Sequence, residues 1–143
     1  MALLKPGSHI NMSRVLRFQV NKLIRDKLPE IMRASGLHVF ERTLEQNDFT
    51  VELKRKLLEE AAEAAGATST DELLCELADV SEVIMALLDA HDLTIADLVA
   101  ARVRKSHERG AFAKRIFNAA VEAEEGTPAL NYYLARPRQY PRD

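Results

Sequence analysis

Two long stretches with apolar residues at helical spacing lie almost back to back, and they constrain the fold more than any other feature of the chain. The first carries Leu53, Leu57, Leu58, Ala61 and Ala65 and runs from about residue 50 to Gly66. The second carries Leu73, Leu77, Val80, Val83, Ile84, Leu87 and Leu88 and runs from about residue 70 to His91. Apolar residues three and four apart share one face of a helix, so each stretch predicts an amphipathic helix. Thr50 is placed to cap the first, with Glu52 in its first turn, and Gly66 suits the stop after its last turn. Ser69 followed by Glu72 reads as a capping box for the second. With only a few residues between them, the two helices should pack antiparallel.

The remaining signals are weaker. Residues 27–34 read as a short helix with Pro29 in its first turn, Ile31 and Met32 facing inward and Gly36 as a left-handed stop. Thr94 to Asp97 repeats the capping pattern and opens a helix that Gly110 would end. Residues 14–20 alternate apolar and polar, and residues 37–44 are rich in β-formers, so a small hairpin or ribbon beside the helices is expected. Residues 111–117 fit either a strand or a short helix. The expected fold class is therefore mainly α: an antiparallel helical bundle with a small flanking β element.

A chain of 143 residues, 47% apolar, fits one domain. Residues 1–12 read as an extension or vector-derived leader, residues 13–121 as the folded domain, and residues 122–143 as an extended tail. A formal charge of −2 gives no electrostatic case for nucleic-acid binding, so any phosphate ligand must be held locally. The single Cys75 falls inside a helical pattern and reads as a small buried side chain in a reducing compartment. No apolar run approaches the roughly 20 residues that span a bilayer, which makes the cytoplasm the expected location.

Four acids carry the chemistry. Glu60 and Glu63 sit three apart on one helix, Glu76 and Asp79 three apart on the next, and each pair occupies adjacent turns of one face. At about 100° per residue, Glu60 falls beside Leu53, Leu57 and Ala64, and Glu76 falls between Leu73, Val80 and Val83. These carboxylates intrude on faces that ought to be core. Glu60 lies six positions before Gly66 and Glu76 six after Thr70, so the two stand at matched distances, roughly 9 Å, from the turn and face each other. Crowded carboxylates repel and lose hydration unless they are protonated, paired with Lys or Arg, or bound to a hard cation. The bland alternative is a pair of solvated helix edges with lysine partners. An oxygen-only ligand set favours Mg2+, with Mn2+ possible.

The string L-E-E-A-A-E at residues 58–63, followed by E-L-A-D-V-S-E-V-I at residues 76–84, resembles the MazG-like, all-α nucleoside triphosphate pyrophosphohydrolases, including the phosphoribosyl-ATP pyrophosphohydrolase-like branch. Two flanking motifs extend the likeness. N-K-L-I-R-D-K-L-P-E at residues 21–30 looks like the opening of one subgroup, and R-G-A-F-A-K-R-I-F at residues 109–117 looks like its close, with Ala111 standing where a second glycine is usual. The resemblance implies a helical fold that assembles as a homodimer or a dimer of dimers. It implies cleavage of a nucleotide between the α and β phosphates to give a monophosphate and pyrophosphate. It assigns Mg2+ to Glu60, Glu63, Glu76 and Asp79, and leaves activation of the water open among Glu59, Glu60 and Glu63.

A triphosphate also needs donors for its terminal oxygens, and Lys22, Arg25, Lys27, Lys105, Arg109, Lys114 and Arg115 are the candidates, with Arg25 and Arg109 preferred. Lys54, Arg55 and Lys56 read instead as a solvated face or as counter-charges to Glu52 and Glu59. Tyr132 and Tyr133 could stack a base or make a subunit contact. Two other readings share these residues: the phosphoribosyl-ATP pyrophosphohydrolase of histidine biosynthesis, and a non-catalytic helical dimerisation module.

Overall fold

A computed structural model describes residues 13–143, and the leader assigned to residues 1–12 lies outside them. Five helices follow in order: α1 (Leu28–Ala34), α2 (Gln46–Gly66), α3 (Thr70–Ala90), α4 (Ile95–Arg109) and α5 (Pro128–Leu134). The mainly helical class is thus the observed one. The chain divides into two units between Leu98 and Val99.

In the first unit the contacts between elements are concentrated in the pair α2 and α3. The three-residue link 67–69 brings the second helix straight back along the first. The far end of the pair is tied as well, because the Gln46 side-chain amide at the start of α2 donates to the Ala90 carbonyl at the end of α3, at 3.1 Å. Leu53, Val83 and Leu88 are the buried apolar side chains, and Glu60 is buried with them.

Several expected details differ. Helix α2 starts a turn earlier than Thr50, since the Glu45 carbonyl already accepts from the Phe49 N–H at 2.8 Å. Thr50 is inside the helix, and its hydroxyl donates back to the Gln46 carbonyl at 3.0 Å. Gly66 is the last helical residue and no left-handed stop forms there; Ala67 leaves in an extended conformation. On α1, Ile31 is exposed rather than inward. Gly36 does take the left-handed conformation expected after that helix, at φ +93°.

The flanking β element is not formed: there is no strand among the described residues. Residues 14–20 and 37–44 lack a backbone ladder, and a β-former without a pairing partner stays extended coil. What links the two segments is a side-chain contact, with the Arg17 guanidinium 4.5 Å from the centre of the Phe40 ring. Residues 111–117 form neither strand nor helix, and the Arg115 N–H closes a turn onto the Phe112 carbonyl at 3.0 Å. Cys75, expected to be buried, is exposed, because it lies on the face of α3 away from α2.

The capping chemistry is close to expectation. The Ser69 hydroxyl accepts from the Glu72 N–H at 3.1 Å. The Glu72 carboxylate reaches one residue further back than a capping box requires, accepting from the Thr68 N–H at 2.7 Å and its hydroxyl at 2.9 Å. Thr94 and Asp97 repeat the arrangement at α4, with the Thr94 N–H 2.7 Å from the Asp97 carboxylate and the Asp97 N–H 3.2 Å from the Thr94 hydroxyl. Helix α3 ends without glycine: Asp92 adopts φ +54°, and the Leu93 N–H bonds the Leu88 carbonyl at 2.8 Å. That is a Schellman closure, in which a short polar side chain tolerates the left-handed residue.

These caps predict a pH dependence. Backbone hydrogen bonds from Thr68 and Thr94 hold the Glu72 and Asp97 carboxyls below the ordinary range. A carboxyl whose folded pKa is depressed contributes stability that is present above its unfolded pKa and lost as pH falls through the folded value. Acid melting should therefore begin below about pH 4.5, and Ser69→Ala should cost about 1 kcal/mol at neutral pH in urea denaturation.

In the second unit, residues 122–143 are not uniformly extended. They contain α5, capped by the Thr127 hydroxyl, which accepts from the Leu130 N–H at 3.4 Å, with Pro128 at its first position. Tyr132, Tyr133 and Tyr140 cluster around it, the last two with ring centres 4.8 Å apart, and the Arg136 guanidinium lies 4.0 Å from the Tyr132 ring centre. Among the described residues, no helix is long and apolar enough to cross a membrane.

Candidate metal centre

Helix pairing brings three of the four acids together. One carboxylate oxygen from each of Glu60, Glu63 and Glu76 lies within 4.8 Å of the others, Glu60 being buried, Glu76 half-buried and Glu63 exposed. The reason is the register: Glu60 and Glu63 occupy successive turns of α2, and Glu76 meets them from α3 across the short link. The Glu76 Oε2 atom is buried and has no hydrogen-bond partner among the described residues. Burial, followed by the charges of Glu63, Asp79 and Glu60, pushes the Glu76 carboxyl above the ordinary range.

Asp79 is not part of this three-acid cluster. Its Oδ1 bonds the Arg25 Nη2 at 2.5 Å, and that bond is the main cause raising the Arg25 pKa. The sequence pairs Asp79 with Glu76 on α3, but the opening motif supplies a cation that reaches Asp79 first. Lys22 does the same for Glu59, with its Nζ 2.8 Å from Oε1. Lys22 and a second ammonium, Lys56 at 3.2 Å, hold the Glu59 carboxyl below its ordinary value against the opposing effect of burial.

Lys56 is the residue that sequence reasoning under-used. As expected, Arg55 pairs with Glu52 and Lys56 with Glu59. Lys56 also lies 2.7 Å from the Glu60 Oε1, and neither side chain is well solvated, at 20% and 7% exposure. The signal was present in the four-residue spacing from Lys56 to Glu60, which puts both on one helix face.

The other basic candidates lie on other elements. Lys27 is the residue preceding α1, where it provides no side-chain cap. Lys105 and Arg109 stand four apart on α4 in the second unit, and Lys114 and Arg115 belong to the turn that follows. The positive φ in that stretch falls on Gly110, at +82°, and on Arg115, at +53°, so Ala111 carries no left-handed strain.

The donor set of the cluster suits a hard divalent cation. All three groups are carboxylates, and among the described residues one buried oxygen lacks a partner and a single ammonium, that of Lys56, is paired with the three acids.

No protein-family model and no solved structure matches the chain. It is similar to an uncharacterized protein of Mycolicibacterium smegmatis, 42% identical over 53 residues, a stretch that covers 37% of this chain and 54% of the relative. The chain thus spans about half the length of that relative.

Proposed function

We propose that the chain is a Mg2+-dependent nucleotide pyrophosphohydrolase of the MazG-like kind, cleaving between the α and β phosphates. The observation that supports this most is the meeting of Glu60, Glu63 and Glu76 around a buried, unpartnered oxygen, at the positions of the E-x-x-E and E-x-x-D strings. Those three would hold the cation, and Asp79 would join them by exchanging its bond to Arg25. Mn2+ would serve in the same place. When bound, the cation supplies neutralisation of phosphate charge and a lower pKa for a bound water.

The chain's own side chains do the rest. Water attacks phosphorus, a new P–O bond forms, the bridging P–O bond breaks, and pyrophosphate departs with the electron pair while the water proton passes to a carboxylate. Glu59, Glu60 and Glu63 are the acceptors within reach of the motif. Glu59 is a weakened base, since Lys22 and Lys56 stabilise its charged form. Arg25 and Lys22 would exchange Asp79 and Glu59 for phosphate oxygens, a change of partner that keeps every charge compensated. Lys27, in the same unit as the acids, is a further candidate phosphate donor.

The proposal includes a cytoplasmic homodimer or dimer of dimers. Leu58 and Leu74 are 73% and 68% exposed, on helices whose other faces are already paired, and such apolar surface favours a second copy. Light scattering showing only monomer at micromolar concentration would count against assembly.

A panel of nucleoside tri- and diphosphates with and without Mg2+ tests the reaction. Monophosphate plus pyrophosphate is the expected product pair, and diphosphate plus phosphate would refute it. Exclusive turnover of phosphoribosyl-ATP would identify the histidine-biosynthetic reaction instead, and no turnover of any nucleotide would leave a helical dimerisation module.

A further inference from the structure

Lys56 occupies an unusual place for a lysine one turn from a glutamate. Pairs at this spacing are ordinarily solvated and contribute little. Here the Lys56 Nζ stands 2.7 Å from Glu60 and 3.2 Å from Glu59, its side chain is mostly covered, and Glu60 is the buried member of the three-acid cluster. Glu60 therefore has two claims on its charge: the ammonium of its own helix, and any cation drawn to Glu63 and Glu76.

Glu59 differs, because Lys22 already bonds it at 2.8 Å from another part of the chain. Glu59 gives Lys56 a second seat. Its ammonium can leave Glu60 without leaving all negative charge behind, and Glu59 remains compensated when Lys56 bonds Glu60 alone.

Resting on the metal reading of this site, we propose that Lys56 is a resident cation that neutralises Glu60 until a divalent cation takes its place, and that it thereby sets the concentration at which the metal binds. An ammonium and a divalent cation on one buried carboxylate repel each other, so the bound metal drives Lys56 toward Glu59. The chain then avoids the cost of a bare buried carboxylate when metal is scarce, in exchange for a weaker affinity when metal arrives.

Titration calorimetry with Mn2+ on the full chain tests this with Lys56→Met, Lys56→Arg and, as a control for general charge, the exposed Lys54→Met. Lys56→Met should bind Mn2+ roughly tenfold more tightly than the unaltered chain. Its metal-free melting temperature should fall, and the rise on adding Mn2+ should grow. Lys56→Arg, which keeps the charge, should bind no more tightly, and Lys54→Met should stay within about twofold. If Lys56→Met does not fold alone, Lys56→Gln, which removes the charge but keeps a polar side chain, carries the comparison and should likewise bind Mn2+ more tightly than the unaltered chain. Equal affinities in Lys56→Met and the unaltered chain, or equal gains in Lys54→Met and Lys56→Met, would overturn the resident-cation role while leaving the metal site standing. Absence of Mn2+ binding by every variant would overturn both.

Discussion

Glu76→Gln should reduce Mg2+-dependent pyrophosphate release by more than about a hundredfold while leaving the metal-free protein as stable as before or more so. The amide keeps the shape of the side chain but removes an anionic ligand from a set of only three close carboxylates. Its stabilising side has a separate origin. The Glu76 carboxyl is raised by burial and by Glu63, Asp79 and Glu60, so the folded chain holds its proton more tightly than the unfolded chain does. The contribution of Glu76 to the stability of the metal-free protein is therefore greatest when it is protonated and is lost as pH rises through the raised pKa. Thermal melts in chelator should show the gain of Glu76→Gln at neutral pH, and that gain should vanish in acid, where the carboxyl is already neutral. A structural ion-pair partner would behave in the opposite way, because the glutamine would leave a cation alone. Normal turnover in the variant would remove Glu76 from the site.

Leu53→Ala should cost about 3 kcal/mol in urea denaturation, a large share of the stability of a small domain. Leu53 is 3% exposed and is one of the few side chains buried between α2 and α3. Removing its methyl groups leaves a cavity beside the pair that positions the acids, so metal affinity should fall with stability. Leu58→Ala on the same helix gives the contrast. Leu58 is exposed within one chain, and a loss beyond about 0.5 kcal/mol that depends on protein concentration would report a second copy covering it. A loss of less than 1 kcal/mol for Leu53→Ala would contradict the packing.

The long helices were legible because their signals are local and repeated. Leu53 and Leu57, then Val83, Leu87 and Leu88, keep the helical period, and Ser69 and Thr94 cap where the sequence places them. The exposed β-formers misled, since Val15, Phe18 and Phe40 have strand propensity and no adjacent edge, and propensity without a partner makes no ladder. The meeting of Glu60, Glu63 and Glu76 was legible from spacing and register alone. The partners of Asp79 and Glu59 were not: Arg25 and Lys22 lie 54 and 37 residues away, and no periodicity encodes a contact at that separation. Lys56 was within reach of the four-residue rule, but it reads as surface until Glu60 is known to be buried.

The three-residue link at 67–69 also bears on how the molecule comes into being. Glu63 and Glu76 are separated by a stretch of chain so short that closing it costs little entropy, and a helical hairpin of this contact order forms in microseconds to milliseconds. All three clustered carboxylates precede α4 in the chain and would emerge from a ribosome before it does. A divalent cation captured at that stage would bind a nascent hairpin rather than a finished domain, and would act as a nucleus that aligns the two helices and screens their mutual repulsion while the later segments are still being synthesised.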